Sequence, residues 1–298
     1  MHLSPIILFV YNRPEHTKKT INALVNNKLA VESTLIIFSD GFKNEKDIDN
    51  VIKVREVIKN ISGFKYLKIV EREKNFGLAN SVISGVTEII EEYGKAIVLE
   101  DDILTSKYFL NFMNEFLDLF KKEKKIYSIS GYNFPIKIHS SYQYQIYFSP
   151  RPSSWGWATW EDRWQEAIWE PEKIIDIYNK KELNKLLDIA GKDLAPMLLK
   201  SIDGKINSWA VKWAFTHLFK NTLSVYPIKS FTKNIGTDAS GTNFINKTKR
   251  YDVEIADSYN NLKIVPELYF NDEIMEQIRR VVRPGAISFM KYRLFNIY

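Results

Sequence analysis

Four short apolar runs, each followed by a helix-like segment, constrain the fold of this chain most strongly. The runs are residues 5–11, 33–39, 66–70 and 96–99. The first of these runs is uninterrupted, which is typical of a strand that is buried on both faces of a sheet. Between them, segments such as residues 46–60 place apolar side chains at helical spacing. This alternation predicts an α/β fold with a doubly wound, mostly parallel central sheet flanked by helices.

The fourth apolar run leads directly into three carboxylates, Glu100, Asp101 and Asp102. Open α/β sheets bind ligands at the carboxyl ends of their strands. Adjacent carboxylates repel one another unless a cation lies among them, and Mg²⁺ and Mn²⁺ prefer oxygen ligands and often bridge to phosphate. This edge is therefore a candidate metal–diphosphate site. The alternative is that Asp101 and Asp102 only stabilise the N-terminus of the next helix.

The composition excludes several classes of site and partner. The absence of cysteine rules out disulfides and thiolate chemistry, and four histidines argue against a histidine-rich metal site. A net charge of +6 suits an anionic substrate or a membrane surface, without the dense basic patch of a nucleic-acid binder. We see no signal peptide and no apolar run near the roughly 20 residues that span a bilayer. We therefore expect a cytoplasmic protein, at most in contact with the inner face of the membrane.

Polar residues follow each of the four apolar runs in a characteristic order. They are Tyr11-Asn12-Arg13-Pro14, Ser39-Asp40-Gly41, Asn75-Phe76-Gly77 and Glu100-Asp101-Asp102. With the later Trp155-Gly156-Trp157, this order resembles the nucleotide-sugar half of GT-A glycosyltransferases. The Glu-Asp-Asp (EDD) form resembles the N-acetylglucosaminyltransferase I family and its bacterial family-2-like relatives. The resemblance implies a GT-A-type, Rossmann-like fold with a helical and aromatic acceptor-side half.

The resemblance also implies how the chain is divided. Residues 1–132 would form the nucleotide-sugar-binding half, and residues 133–270 the acceptor-side half of the same domain. Residues 271–298 would form a C-terminal helix and a basic, aromatic tail. Such a tail suits a membrane interface, and the alternative is that it packs on its own domain or on another subunit.

The resemblance assigns the donor-side residues. Asp102 would bind Mn²⁺ or Mg²⁺ directly, while Asp101 and Glu100 would accept hydrogen bonds from ribose or sugar hydroxyls. The other residues expected to hold the nucleotide are Tyr11, Asn12, Arg13, Asp40, Lys74 and Asn75. For Arg13 a phosphate contact and an ordinary surface position are both open, and for Asp40 the alternative is a simple turn.

On the acceptor side, aromatic residues are expected beside the sugars. The predicted substrate contacts are Trp155, Gly156, Trp157, Ser208 and Trp209. Gly156 would let the backbone approach the ligand closely. The alternative for the tryptophans is a place in the core, where large aromatic side chains usually lie.

The catalytic base departs from the family pattern. In the family an aspartate precedes a tryptophan, and alignment on Trp209 puts Ser208 at that position. Asp203 is therefore the first candidate base, followed by Asp238 and Asp162, each with an ordinary surface role as the alternative. Residues 230–246 are polar and are expected to form a long loop, a candidate lid over the donor.

The sequence thus predicts a metal-dependent, inverting glycosyltransferase. It would move a hexosyl or N-acetylhexosaminyl group from a nucleotide-diphosphate sugar, UDP-linked by expectation, to a glycan or lipid-linked acceptor in bacterial surface polysaccharide synthesis. One alternative is a sugar-nucleotide nucleotidyltransferase, although such an enzyme carries a glycine-rich phosphate loop where this chain has Asn12-Arg13-Pro14-Glu15. Another is a non-catalytic glycan-binding protein that retains the fold.

Overall fold

A computed structural model describes residues 2–175, 180–239, 247–259, 263–265 and 267–284. Its strands are β1 (Ile6–Val10), β2 (Thr34–Ser39), β3 (Tyr66–Glu71), β4 (Lys95–Glu100), β5 (Ile103–Thr105), β6 (Ile126–Ser130), β7 (Ile146–Ser149), β8 (Trp157–Trp160), β9 (Leu223–Pro227) and β10 (Thr232–Asn234). Its α-helices are α1 (Pro14–Val25), α2 (Ile48–Lys59), α3 (Leu78–Tyr93), α4 (Phe109–Leu119), α5 (Glu161–Trp164), α6 (Glu172–Ile175), α7 (Lys180–Asp188), α8 (Leu194–Ile202), α9 (Trp209–Phe219) and α10 (Asp272–Val282).

Eight strands form one central sheet in the order β3-β2-β1-β4-β8-β6-β9-β7. The strands β1 to β4 run parallel, as their apolar runs predict. Strand β8 is antiparallel to both β4 and β6, while β6 and β9 run parallel. The predicted α/β fold class is confirmed, with β8 and β7 as the antiparallel members of the sheet.

Helices cover both faces of the sheet, which explains why the first apolar run is continuous. Along β1, Ile6 and Leu8 point to the face packed by α1, α2 and α4, whereas Ile7 and Phe9 point to the face packed by α3 and α9. These four side chains are at most 5% exposed. Since successive strand side chains alternate between faces, a strand buried on both sides has no polar position in its interior.

A cluster of tryptophans fills the core between β8 and α9. Trp157 stacks on Trp209 with ring centroids 4.9 Å apart, and Trp164 lies 5.4 Å from Trp213. His217 sits edge-on to Trp213 at 4.8 Å and is fully buried. Most tryptophans of this part of the sequence therefore lie in the core, which was the alternative to a contact with sugars.

The prediction of one long loop over residues 230–246 is wrong for its described part. Strand β10 pairs antiparallel with β5, and a short 3₁₀ helix follows at Gly236–Asp238. The strand forms despite its polar sequence because its backbone pairs with β5 and because the Thr232 hydroxyl donates to the Trp155 carbonyl oxygen at 2.7 Å. Residues 240–246 of the predicted lid lie outside the described residues.

We expect His217 to make the folded state sensitive to acid. Burial lowers the pKa of His217 to about 3, below its value near 6.5 in an unfolded chain. The unfolded state therefore takes up a proton first, and stability present above pH 6.5 is lost as the pH falls toward 3. Between pH 7 and pH 5 this histidine should cost about 2 kcal/mol of unfolding free energy.

Urea unfolding at both pH values measures this loss. His217→Gln should show a smaller difference between pH 7 and pH 5 than the unmodified protein. His139→Gln, at an exposed histidine, is the control and should keep the original difference. An equal pH dependence in all three proteins would contradict the assignment.

Candidate active site at the carboxyl edge of the sheet

Neighbouring strands bring Arg13 and the acidic cluster together at one edge. Strands β1 and β4 pair so that Phe9 lies beside Glu100. Arg13 follows β1 at the start of α1, and its guanidinium forms ion pairs with Asp101 and, at 2.9 Å, with Asp102. One guanidinium nitrogen, Nη1, is buried and has no hydrogen-bond acceptor among the described residues. Of the two possibilities left open for Arg13, the ordinary surface position is therefore excluded, and its contact with a phosphate stays a prediction.

In the acidic cluster Asp101 and Asp102 are buried and Glu100 is half-buried, and the three carboxyl groups outnumber the one arginine that contacts them. Burial, together with the charges of Asp102 and Asp101, raises the pKa of Glu100 to about 8, against the opposing effects of Arg13 and a hydrogen bond from Trp209. Burial also raises the pKa of Asp101, which Arg13 opposes. For Arg13 itself, burial lowers the pKa, but the two aspartates outweigh this and raise it overall. Among the described residues, Arg13 is the one cation that forms ion pairs with this group of three carboxyl groups.

The segment after β10 closes over Asp102. The Ile235 amide donates to the Asp102 carbonyl oxygen at 2.9 Å, and the Gly236 amide donates to the Asn234 side chain at 2.7 Å. A Cβ atom at Gly236 would lie 2.1 Å from Asp102 Oδ2. Only glycine fits this approach. Gly236 lies in the polar segment 230–246 and was not among the predicted site residues, because its role depends on an approach to Asp102 that is distant in sequence.

Asp40 and Asn75 tie together the loops that follow β2 and β3. The Asp40 carboxylate accepts from the amides of Phe76 at 2.9 Å and Gly77 at 3.1 Å. The Asn75 side chain donates to the Gly41 carbonyl oxygen at 2.8 Å. Lys74 is exposed on the same loop. These contacts give Asp40 and Asn75 a loop-fixing role, and contact of these residues with a nucleotide stays a prediction.

Tyr11 and Asn12 share one partner, Asp47. The Tyr11 hydroxyl donates to Asp47 Oδ2 at 2.9 Å and the Asn12 amide donates to Oδ1 at 2.7 Å. Burial raises the pKa of Tyr11 to about 12, so its hydroxyl stays protonated at neutral pH. Asp47 lies in a short 3₁₀ helix, and it was not predicted because its partners are more than 30 residues earlier in the chain.

Two of the predicted substrate contacts are corrected by the packing. Trp157 is 1% exposed within the tryptophan cluster, so it cannot stack on a sugar. Gly156 has a φ of +76°, and a Cβ atom there would lie 2.7 Å from Thr232 Cγ2 and 3.3 Å from Leu99 Cδ2. Its glycine is therefore required by neighbouring side chains in the protein interior rather than by a ligand.

The other three predicted contacts line a cavity of about 730 Å³ beside the acidic cluster. Trp155 is half-buried in the cavity wall, and Trp209 reaches the wall although it is 1% exposed. Ser208 also lines the cavity, and its hydroxyl caps α9 by accepting from the Val211 amide at 3.4 Å. Capping preferences explain a serine at this position.

The three candidate bases lie in different places. Asp203 lines the cavity, is exposed and pairs with Lys205 at 2.7 Å. Asp238 lies two residues beyond Gly236 and contacts His16 at 3.1 Å. The proposal of Asp162 is corrected: β8 is antiparallel to β4, so the residues after Trp160 emerge beside Lys95, at the opposite end of β4 from Glu100.

The carboxylate oxygens of the acidic cluster are suitable ligands for a hard divalent cation, but they are too few to hold it alone. Buried, mutually repelling carboxylates attract positive charge, and their oxygens suit Mg²⁺ or Mn²⁺. Among the described residues, however, no three acidic or histidine side chains are arranged to hold a metal ion by themselves. Such an ion would therefore take further oxygens from its substrate, as Mg²⁺ commonly does when it binds one or two carboxylates and a phosphate group.

Comparison with known proteins gives structural likenesses. No family model matches the chain. Residues 1–349 of TarS from S. aureus align with 13% identity over 76% of this chain and 59% of that chain, with a TM-score of 0.42. The mannosyltransferase PcManGT from Pyrobaculum calidifontis, solved with GDP-Man and Mn²⁺, aligns with 10% identity over 54% of this chain and 46% of that chain, with a TM-score of 0.37.

A third likeness is to mouse xyloside xylosyltransferase 1 in its apo form. It aligns with 10% identity over 73% of this chain and 82% of that chain, with a TM-score of 0.37. The chain spans less than two thirds of the length of the TarS fragment and of the mannosyltransferase. Because every TM-score is below 0.5, these likenesses carry no conclusion about function.

We expect the ion pairs of Arg13 to be a major contribution to stability. Arg13→Gln would leave buried carboxylates without a cation, and breaking a buried pair in this way costs about 3–5 kcal/mol. Lys68→Gln, which breaks an exposed pair with Glu88 at 3.3 Å, is the control and should cost at most about 1 kcal/mol. Denaturant unfolding of both variants measures the difference. Equal losses would mean that Arg13 does not hold the cluster together.

Proposed function

We propose that this chain is a glycosyltransferase that moves a sugar from a nucleotide-diphosphate sugar to a glycan or lipid-linked acceptor. One observation carries the proposal. The buried acids at the end of β4 adjoin a large aromatic cavity, and Trp209 both hydrogen-bonds Glu100 and lines that cavity. A charged donor site and a space for a second substrate therefore share a wall.

On the donor side, Arg13 and the acidic cluster have complementary parts. Asp102 would hold Mn²⁺ or Mg²⁺, and the bound cation would stabilise the negative charge of the departing diphosphate. Arg13 lies against the same carboxylates, and its buried Nη1, which has no acceptor among the described residues, would donate to a phosphate oxygen of the bound donor. Asp101 and Glu100 accept hydrogen bonds from hydroxyl groups of ribose or sugar. The remaining donor contacts that we propose are Tyr11, Asn12, Asp40, Lys74 and Asn75.

On the acceptor side, the transfer needs a base. In an inverting reaction the acceptor oxygen forms a bond to the anomeric carbon as the bond from that carbon to the diphosphate breaks, and the base takes the hydroxyl proton. Asp203 is the first candidate because it lines the cavity in which the acceptor would lie. Asp238 is the second, since it follows the segment that touches Asp102. We propose that the donor is UDP-linked and that the product belongs to a bacterial surface polysaccharide.

The sugar-nucleotide nucleotidyltransferase is disfavoured by the way α1 begins. Helix α1 begins at Pro14, directly after Arg13, so there is no room for a glycine-rich phosphate loop after β1. The alternative of a non-catalytic glycan-binding protein is favoured by one residue. Ser208, which cannot act as a carboxylate base, stands where the N-acetylglucosaminyltransferase I family has an aspartate. Its capping of α9 gives that serine a structural role that is compatible with either function.

Only the sequence supports the proposed contact of the C-terminal tail with a membrane. The basic, aromatic residues 285–298 lie outside the described residues. Within the described part of the chain, no helix has both the length and the apolar character needed to cross a bilayer.

A screen of donor hydrolysis tests the proposed function. The protein is incubated with several nucleotide sugars with and without Mn²⁺, and release of the nucleoside diphosphate is measured. Release from at least one donor, dependent on the metal, is expected. No release and no binding of any nucleotide would refute the proposal.

We expect Asp102→Asn to remove the metal-dependent part of this activity. Even residues that only support a metal ligand are worth about 10–100-fold, so loss of the ligand itself should cost at least about 100-fold. The matched control is Asp118→Asn, which removes a carboxylate paired with Lys95 at 2.7 Å on the opposite edge of the sheet. If both variants keep the original rate, Asp102 is not the metal ligand.

Separate Asp→Asn substitutions locate the base. Asp203→Asn should lower kcat by about 10²–10⁴-fold, the usual contribution of a general base. Asp162→Asn should leave the rate unchanged, since Asp162 is engaged with Arg163 at 2.7 Å away from the site. Transfer assays with saturating donor measure both. A large loss in Asp238→Asn and none in Asp203→Asn would move the role to Asp238.

A further inference from the structure

The cavity beside the acidic cluster combines flat aromatic rings with basic side chains. Trp155 meets Tyr132 edge-on with centroids 4.6 Å apart and Tyr251 at 5.5 Å. All three line the cavity of about 730 Å³. Aromatic rings with a polar rim suit ligands that have apolar faces and polar edges, as sugar rings do. The space is large enough for an oligosaccharide segment rather than a single small group.

The charges that line this cavity do not cancel. Four cationic side chains, Arg151, Lys200, Lys205 and Arg250, face two acids. Both acids are already neutralised within the cavity wall. Asp193 pairs with Arg151 at 2.7 Å, and Asp203 pairs with Lys205 at 2.7 Å.

Two of these four cations, Lys200 and Arg250, therefore have no ion-pair partner in the part of the chain that the structure describes. Arg250 donates to the main-chain carbonyl oxygens of Arg280 at 3.3 Å and Arg283 at 2.5 Å, which fix its position but leave its full charge. Lys200 is exposed at the end of α8, and no carboxylate of the described residues lies within ion-pair distance of it. An anion entering the cavity would meet both without displacing an existing ion pair.

The cavity wall is joined to the acidic cluster at two points. Trp209 hydrogen-bonds Glu100 from the wall. The Trp155 carbonyl oxygen accepts from Thr232 at 2.7 Å, four residues before the Gly236 that contacts Asp102. A sugar held in the cavity would thus lie beside the site proposed for the donor.

We infer that the cavity binds an acidic acceptor: a glycan that carries a carboxylate or phosphate group, held by Lys200 and Arg250 while its sugar rings pack on Trp155 and Tyr251. This inference specifies the acceptor of the proposed transferase. Only the statement that the bound glycan is an acceptor rests on the proposed function. The site repels a second cation and favours an anion, so a neutral glycan of the same size binds more weakly.

Calorimetric titration with three soluble probes tests the inference on the full-length protein. They are a glucuronate-containing tetrasaccharide, its carboxyl-reduced neutral counterpart, and a 6-phosphorylated disaccharide. The acidic tetrasaccharide should bind at least about fivefold more tightly than the neutral one, a difference that shrinks at high salt. The phosphorylated probe shows whether phosphate or carboxylate is the preferred anion. Equal binding of acidic and neutral tetrasaccharides, or binding of neither, would overturn the inference.

The double variant Lys200→Gln, Arg250→Gln locates the effect. It should lose the preference for the acidic probe and keep the weak binding of the neutral one. The control, Lys53→Gln with Lys185→Gln, removes the same charge from exposed positions on α2 and α7 outside the cavity. A preference that survives in the double variant, or that disappears equally in the control, would show that the overall charge of +6 and not the cavity selects the anion.

Nucleotide binding, measured in the same proteins, separates this inference from the proposed function. Binding of UDP with Mn²⁺ but no preference for acidic glycans would leave the transferase proposal standing and refute the acidic acceptor. A preference for acidic glycans with no nucleotide binding would refute the transferase and leave an acidic-glycan-binding cavity.

Discussion

The pairing of Arg13 with two buried aspartates is the interaction on which the rest of the site depends. Burial disfavours the charged form of the carboxyl groups at the end of β4, and it therefore raises the pKa of Glu100 and of Asp101. Arg13 supplies the only positive charge that contacts Asp101 and Asp102 among the described residues. The pairing of β1 with β4 brings Arg13 and the carboxylates together. Gly236 lets the chain pass close over Asp102.

A partly neutralised acidic cluster is suited to a ligand that brings its own charges of both signs. A metal–diphosphate unit would do so, because Asp102 and its neighbouring carboxylates would hold the cation and Arg13 would bind the phosphate oxygens. The neighbouring cavity has the opposite balance, with more cations than acids. The two halves of the site thus differ in charge across the wall formed by Trp209. This difference would keep a metal-bound donor and an acidic acceptor in separate places until they react.

Much of this arrangement could be predicted from the sequence, and the failures have physical causes. Mostly apolar runs predict β1 to β4, and the position of Asp102 follows from the end of the fourth run. The prediction that Trp157 contacts a sugar was wrong, because the sequence of a strand does not show whether an aromatic side chain faces a ligand or another tryptophan. Strand β10 was missed because its stability comes from β5, more than 120 residues away, rather than from its own polar sequence. Gly236 and Asp47 also owe their roles to residues outside their own segments, Asp102 and Tyr11.

The most direct measurement of the central claim is calorimetric titration of the intact protein with UDP, in the presence of Mn²⁺ and again with the metal chelated. If the cluster at the end of β4 holds a metal–diphosphate unit, UDP binds with Mn²⁺ and at least about tenfold more weakly without it, a difference of about 1.4 kcal/mol. Binding that is equally tight under both conditions, or absent under both, would contradict the assignment of Asp102 to the metal and of Arg13 to the diphosphate.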